Sequence, residues 1–316
     1  MMMKRNKQFD NFFIGFFFLI FLVPALVYIL FFLNILIEGL PVISLHYLTS
    51  APSSNLAEGG IGPVIISTLG TVFLMLVFVV PFGVMTALYL SEYSLNKKFD
   101  KFFIFLLYNL SGVPSVVFGI FGLGFFVLNL GSSLDNFFGT SLAFGKPSML
   151  WASVTLALML LPMVIITSYQ AFRSVPYNHR ETAYSLGANK LTVVWSVIIP
   201  QSRSGIFTGI ILAVSRAIGE TAPLLFLGCA FFLPSLPLFD LCVGGICLPF
   251  INPTEQFMYL SYNIFILSTQ STGEAAALPY QYAGTLVLIF LTLFCNGTTI
   301  YLRQRYRNKV EMKGIL

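Results

Sequence analysis

Two charged residues, Arg216 and Glu220, stand where charge is costly. They lie in Ser-Arg-Ala-Ile-Gly-Glu-Thr, residues 215–221, inside an otherwise apolar run. An arginine at the centre of a membrane helix costs roughly 2.5–3.5 kcal/mol on an insertion scale, so it normally faces a partner or a wet cavity. At i and i+4 the two side chains share a helical face and can pair. The guanidinium is also a planar fork that matches phosphate or carboxylate oxygens. On spacing alone two chemistries stay open: an intramembrane ion pair that sets helix packing, or an anion-binding arginine with Glu220 as its resting partner and Thr221 beside it. The stretch Ser-Gly-Val-Pro-Ser, residues 111–115, also reads two ways. It is a simple kink, or a broken helix whose new start, at Ser115 with Ser111 close by, turns backbone N–H groups towards an anion.

Composition says what must position these residues. The chain has 316 residues, 57% hydrophobic and 9% charged, with mean hydropathy +0.87. A soluble chain carries about 25% charged residues, so most of this surface is expected to face lipid. Apolar runs of about 20 residues or more recur. In lipid the backbone must satisfy its own hydrogen bonds, which leaves helices or a closed barrel; the runs are continuous rather than alternating, so helices follow. The expected fold is an all-α polytopic membrane protein with six spans, at 12–37, 63–90, 102–130, 148–172, 204–231 and 282–302. The second is expected to be irregular at Pro81 and Gly83, and the third to be interrupted at 111–115. The first is too long for a signal-peptide core and no small-residue cleavage site follows it, so it reads as a retained helix.

Charge placement sets topology. Fifteen of the seventeen lysines and arginines fall before residue 8, at 97–101, at 173–203 and after residue 302. The positive-inside rule then puts both termini and the 173–203 loop in the cytoplasm. The net charge of +5 is a topology signal and calls for no nucleic acid. The longest loop, 233–281, holds no lysine or arginine, yet it contains the apolar stretches 257–260 and 262–267. It is expected to lie on the membrane interface as an amphipathic helix, with a partial re-entrant cover over the pathway as the alternative. Cys242 and Cys247 in this loop either pair or act as apolar filler. His46 and His179 read as surface residues.

Residues 181–200, Glu-Thr-Ala-Tyr-Ser-Leu-Gly-Ala-Asn-Lys-Leu-Thr-Val-Val-Trp-Ser-Val-Ile-Ile-Pro, form a polar stretch that opens with an acid and has a glycine at its centre. Glu181 suits a helix start, and Gly187 suits a reversal with positive φ. Leu191, Val194, Trp195 and Ile198 then recur at helical spacing until Pro200. The local reading is helix, tight turn, helix, either resting on the membrane or offered to a partner.

The spacing of Glu181, Ala183, Gly187, Ala188, Trp195, Ile198 and Pro200 resembles the EAA coupling loop of ABC-importer permeases, with Thr182 and Trp195 as departures from the usual alanine and phenylalanine. That resemblance implies a type I (MetI-like) permease architecture, with a loop that docks into a cytoplasmic ATPase. Three further stretches, 216–225 (Arg-Ala-Ile-Gly-Glu-Thr-Ala-Pro-Leu-Leu), 111–119 and 89–93 (Tyr-Leu-Ser-Glu-Tyr), resemble the permeases of phosphate ABC importers, on the PstA-type side. The likeness covers roughly residues 63–230. It implies phosphate passage at Arg216 and Glu220 in the inner membrane of a bacterium. It also implies a PstC-like second permease, two ATPase subunits and an extracytoplasmic phosphate-binding protein as partners. The chain accordingly divides into 1–62 (basic tail, first span and outer loop), a permease core at 63–303 and a basic tail at 304–316. No GxxxxGK[ST] loop, Ser-His-Asp spacing or metal-ligand pattern occurs, so no cofactor is expected and ATP hydrolysis falls to a partner. The rival readings are a permease for molybdate, sulfate or phosphonate, and an ATP-independent secondary transporter.

Overall fold

The computed structural model describes residues 7–53, 56, 58–233, 236–243, 246–270 and 277–313; for 7–12, 239–243, 246–250, 270, 302 and 306–313 the backbone alone is described. Among the described residues, six helical segments are long and apolar enough to cross a membrane: Phe13–Val42, Gly62–Tyr93, Ser115–Phe138, Met149–Arg173, Lys190–Gly219 and Leu278–Arg305. The all-α, six-span expectation therefore holds. Four of the six spans fall close to where hydropathy puts them.

Helix α1 (Lys7–Gly39) faces outward along most of its length, with Phe16, Phe17, Phe18 and Phe21 all exposed. A surface this apolar is at home only against lipid. After a 3₁₀ turn and the short α2 (Leu45–Thr49), α3 (Gly62–Leu88) runs on into a wide π turn, Tyr89–Tyr93. Pro81 is accommodated inside α3 without a break, contrary to the expected irregularity. Gly83 serves packing instead: a Cβ there would lie 2.8 Å from Val164 Cγ1, so its absence lets α3 approach the next buried span, α7 (Met149–Arg173). The core forms around these two helices, with Met75, Val79, Leu156, Leu160 and Val164 fully buried.

The third span departs most from expectation. Residues 97–111 form a separate helix, α4 (Lys97–Ser111), capped by Asn96. Its Phe99, Phe102 and Phe105 are exposed. At 15 residues it measures about 22 Å, short of a crossing. Pro114 ends it, because a proline ring clashes with the carbonyl four residues back. The crossing segment begins after the break, as α5 (Ser115–Phe121), a π-helical stretch Gly122–Gly131, and α6 (Ser132–Phe138). Beyond α6, Asp135 holds the following loop: its carboxylate accepts from Thr140 Oγ1 and from the N–H groups of Ala143, Phe144 and Gly145 at 2.6–3.0 Å.

The fifth span is shifted towards the 173–203 loop. Helix α8 (Tyr177–Ser185) is followed by α9 (Lys190–Val193), a π turn Val194–Ile198, and α10 (Ile199–Gly219). Lys190–Gly219 is one continuous helical run of 30 residues, about 45 Å long. Pro200 does not interrupt it, because the turn before it is widened, which absorbs the missing N–H. On α10, Gly205 and Gly209 sit four apart against α7; a Cβ on Gly205 would collide with Ala171, and one on Gly209 with Thr167 Oγ1. Small residues at this spacing let membrane helices meet closely. Gly209→Val is therefore expected to lower the thermal unfolding midpoint of the detergent-solubilised chain, at an overpacking cost of about 1–3 kcal/mol. An unchanged midpoint would show that α10 and α7 do not need this approach.

Beyond α10 come a 3₁₀ turn (Pro223–Phe226), a parallel pair of two-residue strands, β1 (Cys229–Ala230) with β4 (Phe257–Met258), and an antiparallel hairpin, β2 (Leu238–Val243) with β3 (Ile246–Ile251). The hairpin backbone sets Cys242 opposite Cys247; their side chains lie outside those described. Next, α11 (Leu260–Gln270) packs inward against α3, α10 and the last helix, α12 (Leu278–Lys313). Phe257, Met258, Tyr259 and Leu260 are fully buried. The 257–267 segment is thus not an interfacial helix but an inward-packed cover. Its own polar groups find partners in the bundle, described next, so burial is cheaper than exposure of so apolar a face.

Candidate functional site

Arg216 occupies the last turn of α10, and Glu220 lies one residue past its end, with extended backbone (φ −74°, ψ 136°). The break has a local cause: Pro223 cannot donate to Gly219, and its ring would strike that carbonyl. The run 216–225 is therefore a helix end rather than the middle of a span. Arg216 Nε is 3.1 Å from Glu220 Oε1, and the side chains are 41% and 15% exposed. The guanidinium sits at the negative end of the α10 dipole, which favours it.

The exposed helix end is closed by the inward-packed segment. Ala217 C=O accepts from Glu220 N–H at 3.0 Å and from Tyr259 Oη at 2.8 Å. Glu220 C=O accepts from Ser261 Oγ at 2.6 Å, and Thr68 Oγ1 accepts from Leu260 N–H at 3.0 Å. On the other side, Ser215 Oγ meets Asn296 Oδ1 of α12 at 2.6 Å. Tyr259, Ser261, Thr68 and Asn296 thus fix the Arg216–Glu220 turn. Sequence reasoning gave them no role: each is far from the pair in the chain, and nothing in their local pattern signals the contact. Thr221 is half-buried, and its carbonyl accepts from Leu224 N–H at 3.1 Å.

The 112–114 break lies on an element adjacent to this one. Helix α5 packs on the Pro223–Phe226 turn so closely that a Cβ on Gly119 would lie 2.7 Å from Pro223 Cα. Ser115 is half-buried. Ser111 is exposed and spends its hydroxyl on Tyr108 C=O at 2.7 Å. The geometry joins the two breaks but gives Ser111 no ligand-facing donor.

The 173–203 loop is a two-helix knob. Gly187 has φ +80°, and its turn is closed by Gly187 N–H to Tyr184 C=O (2.9 Å) and Ala188 N–H to Ala183 C=O (3.1 Å). Asn189 then caps α9, accepting from Thr192 N–H at 2.8 Å. Ala183, Ala188 and Pro200 are half-buried, Ile198 is fully buried and Glu181 is exposed. Tyr184, Leu186, Leu191 and Trp195 present an exposed apolar face, and a side chain at Gly187 would meet open space. His179, also exposed, bonds Gln201 Oε1 at 2.8 Å, and His46 is exposed as expected.

Comparison with known proteins bears on both features. The family model of the binding-protein-dependent transport system inner membrane component matches residues 79–238, which include the knob, both helix breaks and the Arg216–Glu220 turn. A Methanocaldococcus jannaschii protein described as a probable phosphate transport system permease protein PstA is 28% identical over 83% of this chain and 83% of its own length. A Mycoplasma pneumoniae PstA homolog is 30% identical over 76% of this chain, which spans only 34% of that longer relative. Among solved structures, a subunit of a bacterial alginate ABC transporter superposes with TM-score 0.61 at 16% identity over 93% of this chain and 97% of its own. A subunit of the inward-facing MetNI methionine ABC transporter gives 0.52 at 15% identity, over 78% and 94%. At those identities the likeness is one of fold.

Proposed function

The chain belongs to the binding-protein-dependent transport system inner membrane components, and on that premise we propose that it is a permease subunit of an ATP-driven importer of inorganic phosphate. A permease of this family spans the inner membrane and works with an ATPase and a substrate-binding protein. The observation that carries the substrate is the Arg216–Glu220 turn: a guanidinium at a helix end, 41% exposed, with a carboxylate holding it until an anion competes. Guanidinium suits a tetrahedral oxyanion because its parallel N–H groups match two oxygens at once. Relatives described as phosphate permeases support the same choice.

Phosphate released by the binding protein enters between this subunit and a second permease, displaces Glu220 from Arg216, and leaves inward when the bundle switches. Both termini and the knob face the cytoplasm, in keeping with the lysine and arginine distribution. The knob's apolar face of Tyr184, Leu186, Leu191 and Trp195 docks on an ATPase subunit. Because Lys190–Gly219 is one continuous helical run of 30 residues, displacement at Lys190 is carried about 39 Å along the axis to Arg216. The test is uptake of labelled phosphate by vesicles carrying the assembled complex, with and without internal ATP, against sulfate and molybdate. ATP-dependent phosphate uptake alone is the expected result. Uptake of a different oxyanion would overturn the substrate, and ATP-independent uptake would overturn the coupling.

A further inference from the structure

We infer that Arg180 and Glu92 form a clamp that passes movement of the knob to the second span as well as to the fifth; this rests on the coupling reading above. Helix α8 buries no residue of its own, so specific contacts must hold it. Arg180 Nη1 donates to both carboxylate oxygens of Glu92, at 2.6 and 2.7 Å, and Nη2 donates to Phe172 C=O at 2.6 Å. The pair is well shielded, with Arg180 and Glu92 side chains 15% and 8% exposed. One guanidinium thus ties the first knob helix to the end of α3 and to the last turn of α7.

The second knob helix grips the same place. Lys190 Nζ lies 4.6 Å from the centroid of the Tyr93 ring, a cation–π contact. Glu92 and Tyr93 are neighbours in the π turn Tyr89–Tyr93 that ends the second span. Beneath them Val193, Val194 and Ile198 share a buried apolar cluster with Ala87 and Leu90. His179 and Gln201 link the two arms of the knob. A knob held this way moves as one body, and its motion reaches α3 through two polar grips and one apolar contact. Arg180 and Glu92 are positioning residues: neither touches the Arg216–Glu220 turn.

The test uses the full complex in proteoliposomes and reads ATP hydrolysed per labelled phosphate taken up. Glu92→Gln is expected to leave assembly intact and to raise that ratio at least tenfold. Arg180→Lys, which keeps charge but loses the three-way geometry, should raise it similarly. The charge-reversed pair E92R/R180E should reverse only part of this rise, because a carboxylate at 180 leaves Phe172 C=O without its donor. Lys190→Gln, at an exposed residue that leaves no buried charge, should raise the ratio about threefold even if the other variants fail to assemble. A wild-type ratio in assembled Glu92→Gln, or in Lys190→Gln, overturns the clamp. So does a proportionate fall of hydrolysis and uptake, since that marks lost ATPase docking. A wild-type complex that moves phosphate without ATP fails before any variant is compared, and overturns the coupling reading together with the clamp.

Discussion

Arg216→Ala is expected to reduce phosphate uptake by about 100-fold or more while the complex still assembles. The side chain is 41% exposed in this chain and its ion-pair partner, Glu220, lies on the same turn. Removing it therefore opens no cavity in the core, which is formed by α3, α7 and the buried face of α10. On the proposed role, what is lost is two charge-assisted hydrogen bonds to the passing anion, each worth about 1.5–3 kcal/mol, and every 1.4 kcal/mol is about tenfold. Arg216→Lys keeps the charge but not the fork, and should retain a minor fraction of uptake with weakened discrimination against sulfate. Glu220→Gln leaves the guanidinium without its resting partner; phosphate should then bind more tightly and leave more slowly, so that maximal uptake falls while half-saturation moves to lower concentration. Initial rates across a phosphate series measure all three. Full uptake by Arg216→Ala, with normal saturation, would make the pair a packing device.

Replacing Gly187 by valine is expected to uncouple ATP hydrolysis from transport. The backbone there has φ +80°, which a side chain strains by roughly 1–2 kcal/mol, and a β-branched residue most of all. Space is not the obstacle, since a Cβ would meet nothing within 4 Å. The strain opens the turn that sets α8 against α9, and with it the relative placement of Tyr184, Leu186, Leu191 and Trp195. Gly187→Asn is the control, because asparagine tolerates this left-handed conformation; it should keep more than half of wild-type uptake. Hydrolysis without uptake in the valine variant, and uptake in the asparagine variant, would locate the requirement in the backbone. Equal loss in both would place it in the docking face, and normal coupling in valine would remove the knob from the mechanism.

Much of the fold was legible in the sequence because its causes are local. Lipid demands about 20 apolar residues per crossing, so six spans could be counted from hydropathy. Gly187 at the turn acts within a few residues of itself. The prolines were harder. Pro81 and Pro200 look like Pro114 and Pro223 in sequence, yet the first two lie inside continuous helical runs and the latter two stand at helix breaks. The difference lies in what the neighbourhood supplies: a widened turn absorbs Pro200, whereas Tyr259 and Ser261 satisfy the carbonyls exposed at the Pro223 break.

The candidate site divides the same way. Residue type and spacing alone marked Arg216 and Glu220 as a costly pair on one turn, and marked residues 181–200 as a knob. Only the tertiary structure decided that the pair sits at a helix end capped from 40 residues away, that the 257–267 segment turns inward, and that Arg180 grips Glu92 from 88 residues away. Propensity, hydropathy and turn chemistry act between near neighbours and are written in short windows. The burial of a carbonyl or a carboxylate is settled by whichever distant donor packing brings within 3 Å, and no short window contains it.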